Sequence, residues 1–421
     1  MKILIVDVNF DYKNPMYRQF YLSLLSCMEV DFFGPGYVSR QCLERGICKF
    51  IDENGNYDAV LMGTYFLYST GHKSIENNAY RIHRAMIPYY DVNDAYQCCY
   101  KVYNDLVTAK NLLKIFVYYE DIWAMSVEVQ NICYKLLDAG FYILSWPLEY
   151  MEKAQVKKSI RKYCAQTDCL YELACRYVSQ YIPISFHGIG YHEIFVRSFA
   201  GRNYDWCIPG NRAEWFYPER NKAHKVMEDK QKKVWTDDPY QSLSAAAIER
   251  RHMEWYKFRN QAEKILSWLW GKNDSIASQP QMRYIAACRE QYLESLRSSK
   301  FVYAEGGLSN AFVRKYFEAG ACGAVLVAKR VPGMKEMGFI CESNCLIVDR
   351  YEDIAAIDEQ YTNSHLEKIA KAGQRLVLEK HMFKHRADAL LETLKAIKQG
   401  SYEGAYWEDG NYILKRPNHK E

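Results

Sequence analysis

The chain has 421 residues, enough for two or three domains that each bury a core of their own. It carries 55 lysine and arginine residues against 51 aspartate and glutamate residues, and this net charge of +4 requires neither a nucleic-acid nor a membrane partner. Apolar residues make up 49% of the sequence and charged residues 25%, as in ordinary folded proteins, and no run reaches the roughly 18 apolar residues of a membrane-spanning helix.

The 14 cysteines are scattered along the chain. The close pairs Cys98 and Cys99, Cys164 and Cys169, and Cys341 and Cys345 have no second pair at zinc-site spacing. We interpret them as free thiols in a reducing cytosol. The apolar run before Asp7 is too short for a signal peptide, so we expect a cytoplasmic protein. Such a protein could also contact the inner face of a membrane peripherally.

Apolar runs alternating with helical patterns predict a doubly wound parallel sheet in the first half of the chain. The predicted strands are Met1–Asp7, Glu29–Gly36, Tyr57–Phe66, Lys114–Asp121 and Phe141–Pro147, with helices at Tyr17–Met28, Ser39–Arg45 and Val127–Asp138. The first strand leads into a polar loop that lacks the G-x-G-x-x-G pattern, which disfavours a dinucleotide oxidoreductase.

Ligands of such sheets bind outside the carboxyl ends of the strands. Asn9, Tyr65, Glu120 and Asp121 follow or end predicted strands, so they are candidates for a site. Each of them could instead cap a helix or lie in a solvated loop.

Residues 186–202 are interpreted as a connector between a first domain of residues 1–185 and a second domain of residues 203–400, with a tail at residues 401–421. His187, His192 and Glu193 lie close together in this connector. A metal site is disfavoured because no further clear ligand is present. Gly188 and Gly190 are candidate hinge positions.

A second alternation of strands and helices begins at Asn203. The segment Asn203–Arg212 predicts a strand that ends at Gly210, and the following segment predicts a helix with Pro218 in its first turn. Arg212 and Arg220 are candidate cations for a phosphate, because a guanidinium pairs bidentately with phosphate oxygens, although either could be solvated. The aromatic and basic stretch at residues 243–270 favours core packing over a nucleic-acid stripe.

The stretch Lys300–Arg330 predicts a strand, a glycine turn, a helix capped by Ser309 and a second buried strand. Free amides at residues 307–311 and the positive end of the helix dipole predict an anion site that could hold a nucleotide diphosphate. Arg314 and Glu318 lie one turn apart on the polar face of this helix. The alternative is that the glycines only make a tight turn and that this ion pair is solvated.

These residues resemble a known family. The string RKYFEAGACGAVLV from Arg314, followed by VPGMKEMGF and NCLIVDR, resembles the nucleotide-sugar half of GT-B glycosyltransferases, in particular the CgeB-like group. The string HMFKHR, from His381 to Arg386, is similar to the His-Thr-Tyr-x-x-Arg element of those proteins. The resemblance covers residues 300–396.

The resemblance implies two Rossmann-like domains that face a cleft and transfer a sugar from a nucleotide-diphosphate sugar to a glycan, lipid-linked or protein acceptor. It implies no metal, because helix-end amides and arginine can stabilise the diphosphate, and it implies no other cofactor and no nucleic acid. Glu318 would bind the donor, and Asn310 stands where members with a Glu-x7-Glu motif have an acid.

The other residues that this reading assigns fall into three sets. They are Gly210, Arg212, Arg220, Gly307, Ser309, Asn310, Arg314 and Glu336 on the donor side, Asn9, Tyr65 and His187 on the acceptor side, and Glu120 or Asp121 as the base of an inverting reaction. A nucleotide-sugar-binding protein without turnover is the alternative on the same fold, and a nucleic-acid-binding protein is a further one.

Overall fold

The computed structural model describes residues 1–9, 15–68, 92–118, 127–145, 178–185, 187–195, 197–210, 218–235, 289–306 and 312–415. The strands are β1 (Lys2–Val6), β2 (Glu29–Phe33), β3 (Ala59–Gly63), β4 (Lys114–Val117), β5 (Phe141–Leu144), β6 (Tyr181–Ile182), β7 (Tyr204–Cys207), β8 (Ser299–Ala304), β9 (Val325–Lys329), β10 (Leu346–Val348), β11 (Ala405–Glu408) and β12 (Asn411–Leu414).

The helices in these ranges are α1 (Pro15–Leu24), α2 (Arg40–Arg45), α3 (Ile47–Asn54), α4 (Thr64–Tyr68), α5 (Val92–Thr108), α6 (Val127–Asp138), α7 (Pro218–Asp229), α8 (residues 289–297), α9 (Lys315–Ala321), α10 (Ile357–Gln360), α11 (Asn363–Lys380) and α12 (Phe383–Lys398). Short 3-10 turns lie at Val178–Gln180, Tyr191–Glu193, Phe199–Gly201 and Tyr351–Ala356.

The first six strands form one parallel sheet in the order β2-β1-β3-β4-β5-β6. Successive residues of β1 point to opposite faces, and each face packs into its own core, with Leu4 and Val6 on one side and Ile3 and Ile5 on the other. The strand order reverses between β1 and β3, and the crevice at such a reversal is where doubly wound sheets bind ligands.

Strands β7 to β10 form a second parallel sheet in the order β10-β9-β8-β7. On one face Val302 and Leu326 pack with Phe317 of α9, and on the other face Phe301 and Val325 pack in a different core. Two parallel sheets, each with a core on both faces, confirm the predicted α/β class with two doubly wound units.

The end of the chain returns to the first sheet. Phe383, Leu390 and Leu394 of α12 share a core with Ile3 and Ile5 of β1. All of α12 falls inside the range predicted for the second domain, yet its apolar stripe covers a face of the first sheet.

The connector runs beside the junction between α11 and α12. The Ile189 amide donates to the His381 carbonyl at 3.1 Å, and the Phe383 amide donates to the Ile189 carbonyl at 2.9 Å. A side chain at Gly188 would collide with the Phe383 ring, so close packing requires the glycine at this position. The two segments that link the domains are therefore hydrogen-bonded to each other.

The apolar runs placed most strands correctly, including β1, β2, β4, β5, β7, β8 and β9. The predicted helix cap at Ser309 is wrong, because α9 begins at Lys315 with Arg314 in the N-cap position. Phe312, just before the helix, packs instead in an aromatic cluster with Tyr316 and Phe317. The strand predicted to reach Phe66 ends at Gly63, where α4 begins.

Candidate functional site

Two basic side chains meet at the carboxyl end of β7. A side chain at Gly210 would collide with Nζ of Lys315 and approach Nη1 of Arg220, so both side chains lie against this residue. Gly210 has a φ of 102°, which other residues rarely adopt. The predicted donor-side residues Gly210 and Arg220 are thus brought together with a lysine from the first turn of α9.

Arg220, Lys315 and Glu305 form a buried cluster, and burial shifts the pKa values of Lys315 and Glu305. Arg220 is 2% exposed and its Nε lies 3.7 Å from Oε1 of Glu305, which follows β8 and is 4% exposed. Burial raises the pKa of Glu305, which Arg220 opposes. Burial and the nearby Arg220 hold the pKa of Lys315 well below its ordinary value. An arriving anion would favour the charged form of Lys315.

Further polar groups surround this cluster. Lys329 at the end of β9 forms an ion pair with Glu219 of α7. The hydroxyl of Tyr303 is buried and makes no hydrogen bond with any described residue. Strands β7, β8 and β9 therefore end in a group of cations, carboxylates and a phenol at the same edge of the second sheet.

Arg314 and Glu318 form a buried pair at the start of α9. Nε of Arg314 lies 2.9 Å from Oε1 of Glu318, and the two side chains are 6% and 7% exposed. The alternative that this pair is solvated is therefore wrong. Tyr292 of α8 donates from its hydroxyl to Oε2 of Glu318 at 2.5 Å.

Glu193 of the connector joins the same network. Its fully buried carboxylate accepts hydrogen bonds from Arg289 and Arg314 and from the Gly190 amide, the last at 2.8 Å. Burial alone would raise the pKa of Glu193, but Arg314 and Arg289 outweigh burial and hold it below the ordinary value. Because both arginines donate hydrogen bonds to this carboxylate, it is not placed to act as a metal ligand.

The element from His381 to Arg386 is also buried. Nη2 of Arg386 donates to Nδ1 of His381 at 3.0 Å, and Nε2 of His381 faces the Met337 carbonyl at 2.8 Å. Burial and Arg386 hold the pKa of His381 well below its ordinary value, so the neutral tautomer with a proton on Nε2 satisfies both contacts. The guanidinium lies 4.4 Å from the centre of the Trp407 ring, which ties α12 to β11.

The reversal point of the first sheet is organised by Asp7. Its Oδ1 accepts from the amides of Val8 and Phe66 at 2.8 and 2.9 Å, and Tyr21 donates to Oδ2 at 3.0 Å. A side chain at Gly63 would overlap this carboxylate. Asp7 therefore holds the loop after β1 and the helix α4 after β3 together.

The predicted acceptor-side residues Asn9 and Tyr65 lie in this loop and in α4, respectively. The Asn9 amide donates to the Pro35 carbonyl at 2.9 Å, and Tyr65 is half-buried against both cores of the first sheet. The third predicted residue, His187, lies in the connector, where burial, Arg314 and Arg386 lower its pKa to about 3. It is therefore neutral at physiological pH.

Of the remaining predicted site residues, the structure describes Glu336. Glu336 lies in the loop after β9, and its carbonyl accepts from the Gly410 amide of the C-terminal hairpin at 2.8 Å. Six predicted residues lie outside the described ranges: Glu120, Asp121, Arg212, Gly307, Ser309 and Asn310.

Sequence reasoning missed three residues of the site, namely Lys315, Tyr292 and Glu305. Lys315 directly follows the quoted Arg314, and Glu305 directly follows a predicted strand, so position alone could have indicated both. Tyr292 lies 26 residues before its partner Glu318 and carries no local signal.

A separate groove of about 540 Å³ lies between α11, α12 and the hairpin of β11 and β12. Its lining includes Glu379, Asp388, Glu392, His385 and Tyr412. It shares no residue with the cluster at Gly210 or with the Glu193 network.

The described ranges contain neither a cluster of metal ligands nor a membrane-spanning helix. No group of three or more histidine, cysteine, aspartate or glutamate side chains could hold a metal ion there. No helix in the same ranges has both the length and the apolar character to span a bilayer.

Known proteins share features with this chain. Residues 263–392 match the family described as glycosyl transferase-like. No curated protein matches the chain. Sucrose-phosphate synthase from Thermosynechococcus elongatus is 13% identical, with a TM-score of 0.47, over 95% of this chain and 100% of that one.

Two other solved structures are similar at the same level. HepE from Anabaena in complex with UDP-glucose is 13% identical, with a TM-score of 0.44, over 94% of this chain and 100% of that one. TarM is 10% identical, with a TM-score of 0.46, over 93% and 98%. Residues 263–392 thus resemble the glycosyl transferase-like family, and they include Arg314, Lys315 and Glu318 of the site described above.

Proposed function

We propose that this protein is a glycosyltransferase that moves a sugar from a nucleotide-diphosphate sugar to an acceptor. The observation that carries the proposal is that Arg220 and Lys315 lie together against Gly210. Lys315 lies one turn before Glu318, and both of these residues belong to the segment that matches the family. Two cations at the carboxyl edge of a parallel sheet suit a diphosphate, and a nearby carboxylate suits the hydroxyls of a sugar.

The donor would lie along the carboxyl edge of the second sheet. Arg220 and Lys315 would neutralise charge that grows on the diphosphate as the sugar leaves, which is the main electrostatic task of such a reaction. Glu318 would accept a hydrogen bond from a donor hydroxyl, because its two oxygens have lone pairs beyond those used by Tyr292 and Arg314. We propose that this work needs no metal.

The acceptor would approach from the first sheet, where Asp7 fixes the loop that carries Asn9 and the helix that carries Tyr65. Glu120 or Asp121 would deprotonate the acceptor hydroxyl in an inverting reaction, and a retaining reaction would need no such base. We assign the chain to the CgeB-like group on the strings quoted above, and the acceptor class is a glycan, a lipid-linked sugar or a protein.

The proposal is tested by release of nucleoside diphosphate from UDP-glucose, UDP-N-acetylglucosamine and GDP-mannose, each with oligosaccharide, glycolipid and peptide acceptors. The expected result is release that depends on acceptor and is lost in Lys315→Met. Tight binding of a nucleotide sugar without turnover across all acceptors would favour a binding protein. No binding of any nucleotide sugar would overturn the proposal.

A further inference from the structure

The carboxylate of Glu193 has a position unusual for a connector residue. It is completely buried, and it is held by Arg289 of α8, Arg314 before α9 and the Gly190 amide. A buried carboxylate is costly unless it is paired in this way, so the two arginines fix its position. The connector is thereby attached to two helices of the second domain.

Arg314 is shared between two carboxylates. Its Nη2 donates to Glu193, while its Nε lies 2.9 Å from Oε1 of Glu318. Because one planar guanidinium makes both contacts, a shift of Glu193 changes where Arg314 can hold Glu318. A continuous line of polar contacts thus runs from Gly190 through Glu193 and Arg314 to Glu318.

The first domain touches the same line through Gln19 of α1. Its Oε1 lies 3.3 Å from Nη2 of Arg289 and 3.5 Å from both terminal nitrogens of Arg314. These two arginines are the pair that holds Glu193. A movement of the first domain would therefore change the contacts of both guanidinium groups.

We infer that Glu193 is a positioning residue for Glu318, acting through Arg314, and that Gln19 couples this arrangement to the first domain. The inference rests on the proposed function, in which Glu318 binds the donor. The donor site is then complete only when the connector and α1 are in place, so donor affinity reports the arrangement of the two domains.

The test is a double-mutant cycle on donor affinity, measured by calorimetry with whichever of UDP-glucose, UDP-N-acetylglucosamine and GDP-mannose binds the wild type best. Glu193→Gln and Glu318→Gln should each weaken binding about tenfold, and the double variant should bind within about twofold of Glu318→Gln alone, because both changes remove one shared arrangement. Effects that multiply to about a hundredfold would show that Glu193 acts elsewhere, and would overturn the inference.

A second cycle avoids the buried charge. Gln19→Ala removes only the long contacts of a half-buried, uncharged side chain. It should weaken donor binding about threefold in the wild type and not at all in Glu318→Gln, with an unchanged melting temperature. Gln41→Ala, an exposed glutamine on α2, is the matched control and should change nothing. If Glu193→Gln does not fold, this cycle decides the question, and an equal loss in both backgrounds would overturn the inference.

A conservative change separates positioning from simple destabilisation. Glu193→Asp keeps the charge but shortens the side chain, so donor affinity should fall less than in Glu193→Gln while turnover at saturating donor stays near wild type. A loss of turnover with unchanged affinity would contradict positioning. Failure of the wild type to bind any of the three nucleotide sugars would overturn the proposed function together with this inference, whereas binding with additive losses would overturn the inference alone.

Discussion

Tyr292 and Glu318 are joined by a hydrogen bond of 2.5 Å from the phenol to Oε2 of the carboxylate. Arg314 lies 2.9 Å from the other oxygen, so the carboxylate is held from both sides without any ligand. A carboxylate has about four lone-pair positions, and two of them stay available for a ligand hydroxyl. In the proposed function, Glu318 would thus be fixed in place before a donor arrives, which would lower the entropic cost of binding.

Tyr292→Phe should destabilise the fold. The change leaves a buried carboxylate oxygen with one fewer donor, and such a loss costs about 1–3 kcal/mol in the free energy of unfolding. Urea denaturation of the variant and wild type measures this. Tyr100→Phe, at a residue that is 45% exposed, is the control and should stay within about 0.5 kcal/mol. Equal stability of Tyr292→Phe and wild type would mean that the contact contributes nothing.

Glu318→Gln should keep the fold and weaken nucleotide-sugar binding about tenfold, or about 1.4 kcal/mol, because a neutral amide accepts hydrogen bonds less strongly than a carboxylate. Calorimetric titration gives the affinity. Glu367→Gln is a matched control, because Glu367 also pairs with a residue one turn later, Lys371, at 3.1 Å but on an exposed face. Identical affinities for all three proteins would remove Glu318 from the donor site.

Donor binding should take up a proton at Lys315. The pKa of this lysine is held below its ordinary value by burial and Arg220, and a bound diphosphate favours the charged form and raises that pKa. Affinity should therefore be greatest below the free-state pKa and fall as pH rises through the window between the free and bound values. Titrations in buffers of different ionisation enthalpy between about pH 6 and 9 detect the uptake. Lys315→Met should abolish it, and a wild type without any buffer dependence would speak against this role.

Turnover should survive EDTA. In the proposed mechanism the diphosphate is met by Arg220 and Lys315 rather than by a cation bound to carboxylates. Initial rates with and without the chelator, followed by added magnesium or manganese, provide the measurement. A complete loss that either metal restores would show that a divalent cation takes part.

Most strands of both sheets could be predicted from sequence because a buried parallel strand is a short apolar run, as in KILIV and VLVAK. The C-terminal hairpin could also be predicted from the sequence. Asp409 and Gly410 have φ values of 47° and 77°, and an Asp-Gly pair between alternating apolar residues is a strong signal for such a turn.

Fewer of the contacts in the site could be predicted from the sequence. The spacing of Arg314 and Glu318 predicted that they are neighbours but not that they are buried, because burial comes from α8 and the connector, which are distant in sequence. In sequence, Glu193 lies close to two histidines, and this proximity suggests a metal ligand. Its actual partners, Arg289 and Arg314, lie 96 and 121 residues further along the chain.

If Arg220 and Lys315 form a diphosphate site at Gly210, calorimetric titration of UDP against UMP, and of GDP against GMP, should reveal it. One diphosphate should bind the wild type at least about tenfold more tightly than its monophosphate, a difference of about 1.4 kcal/mol. That preference should disappear in Lys315→Met and persist in the control Lys371→Met, whose side chain is 73% exposed. Equal affinity for diphosphate and monophosphate in the wild type, or an undiminished preference in Lys315→Met, would contradict the account.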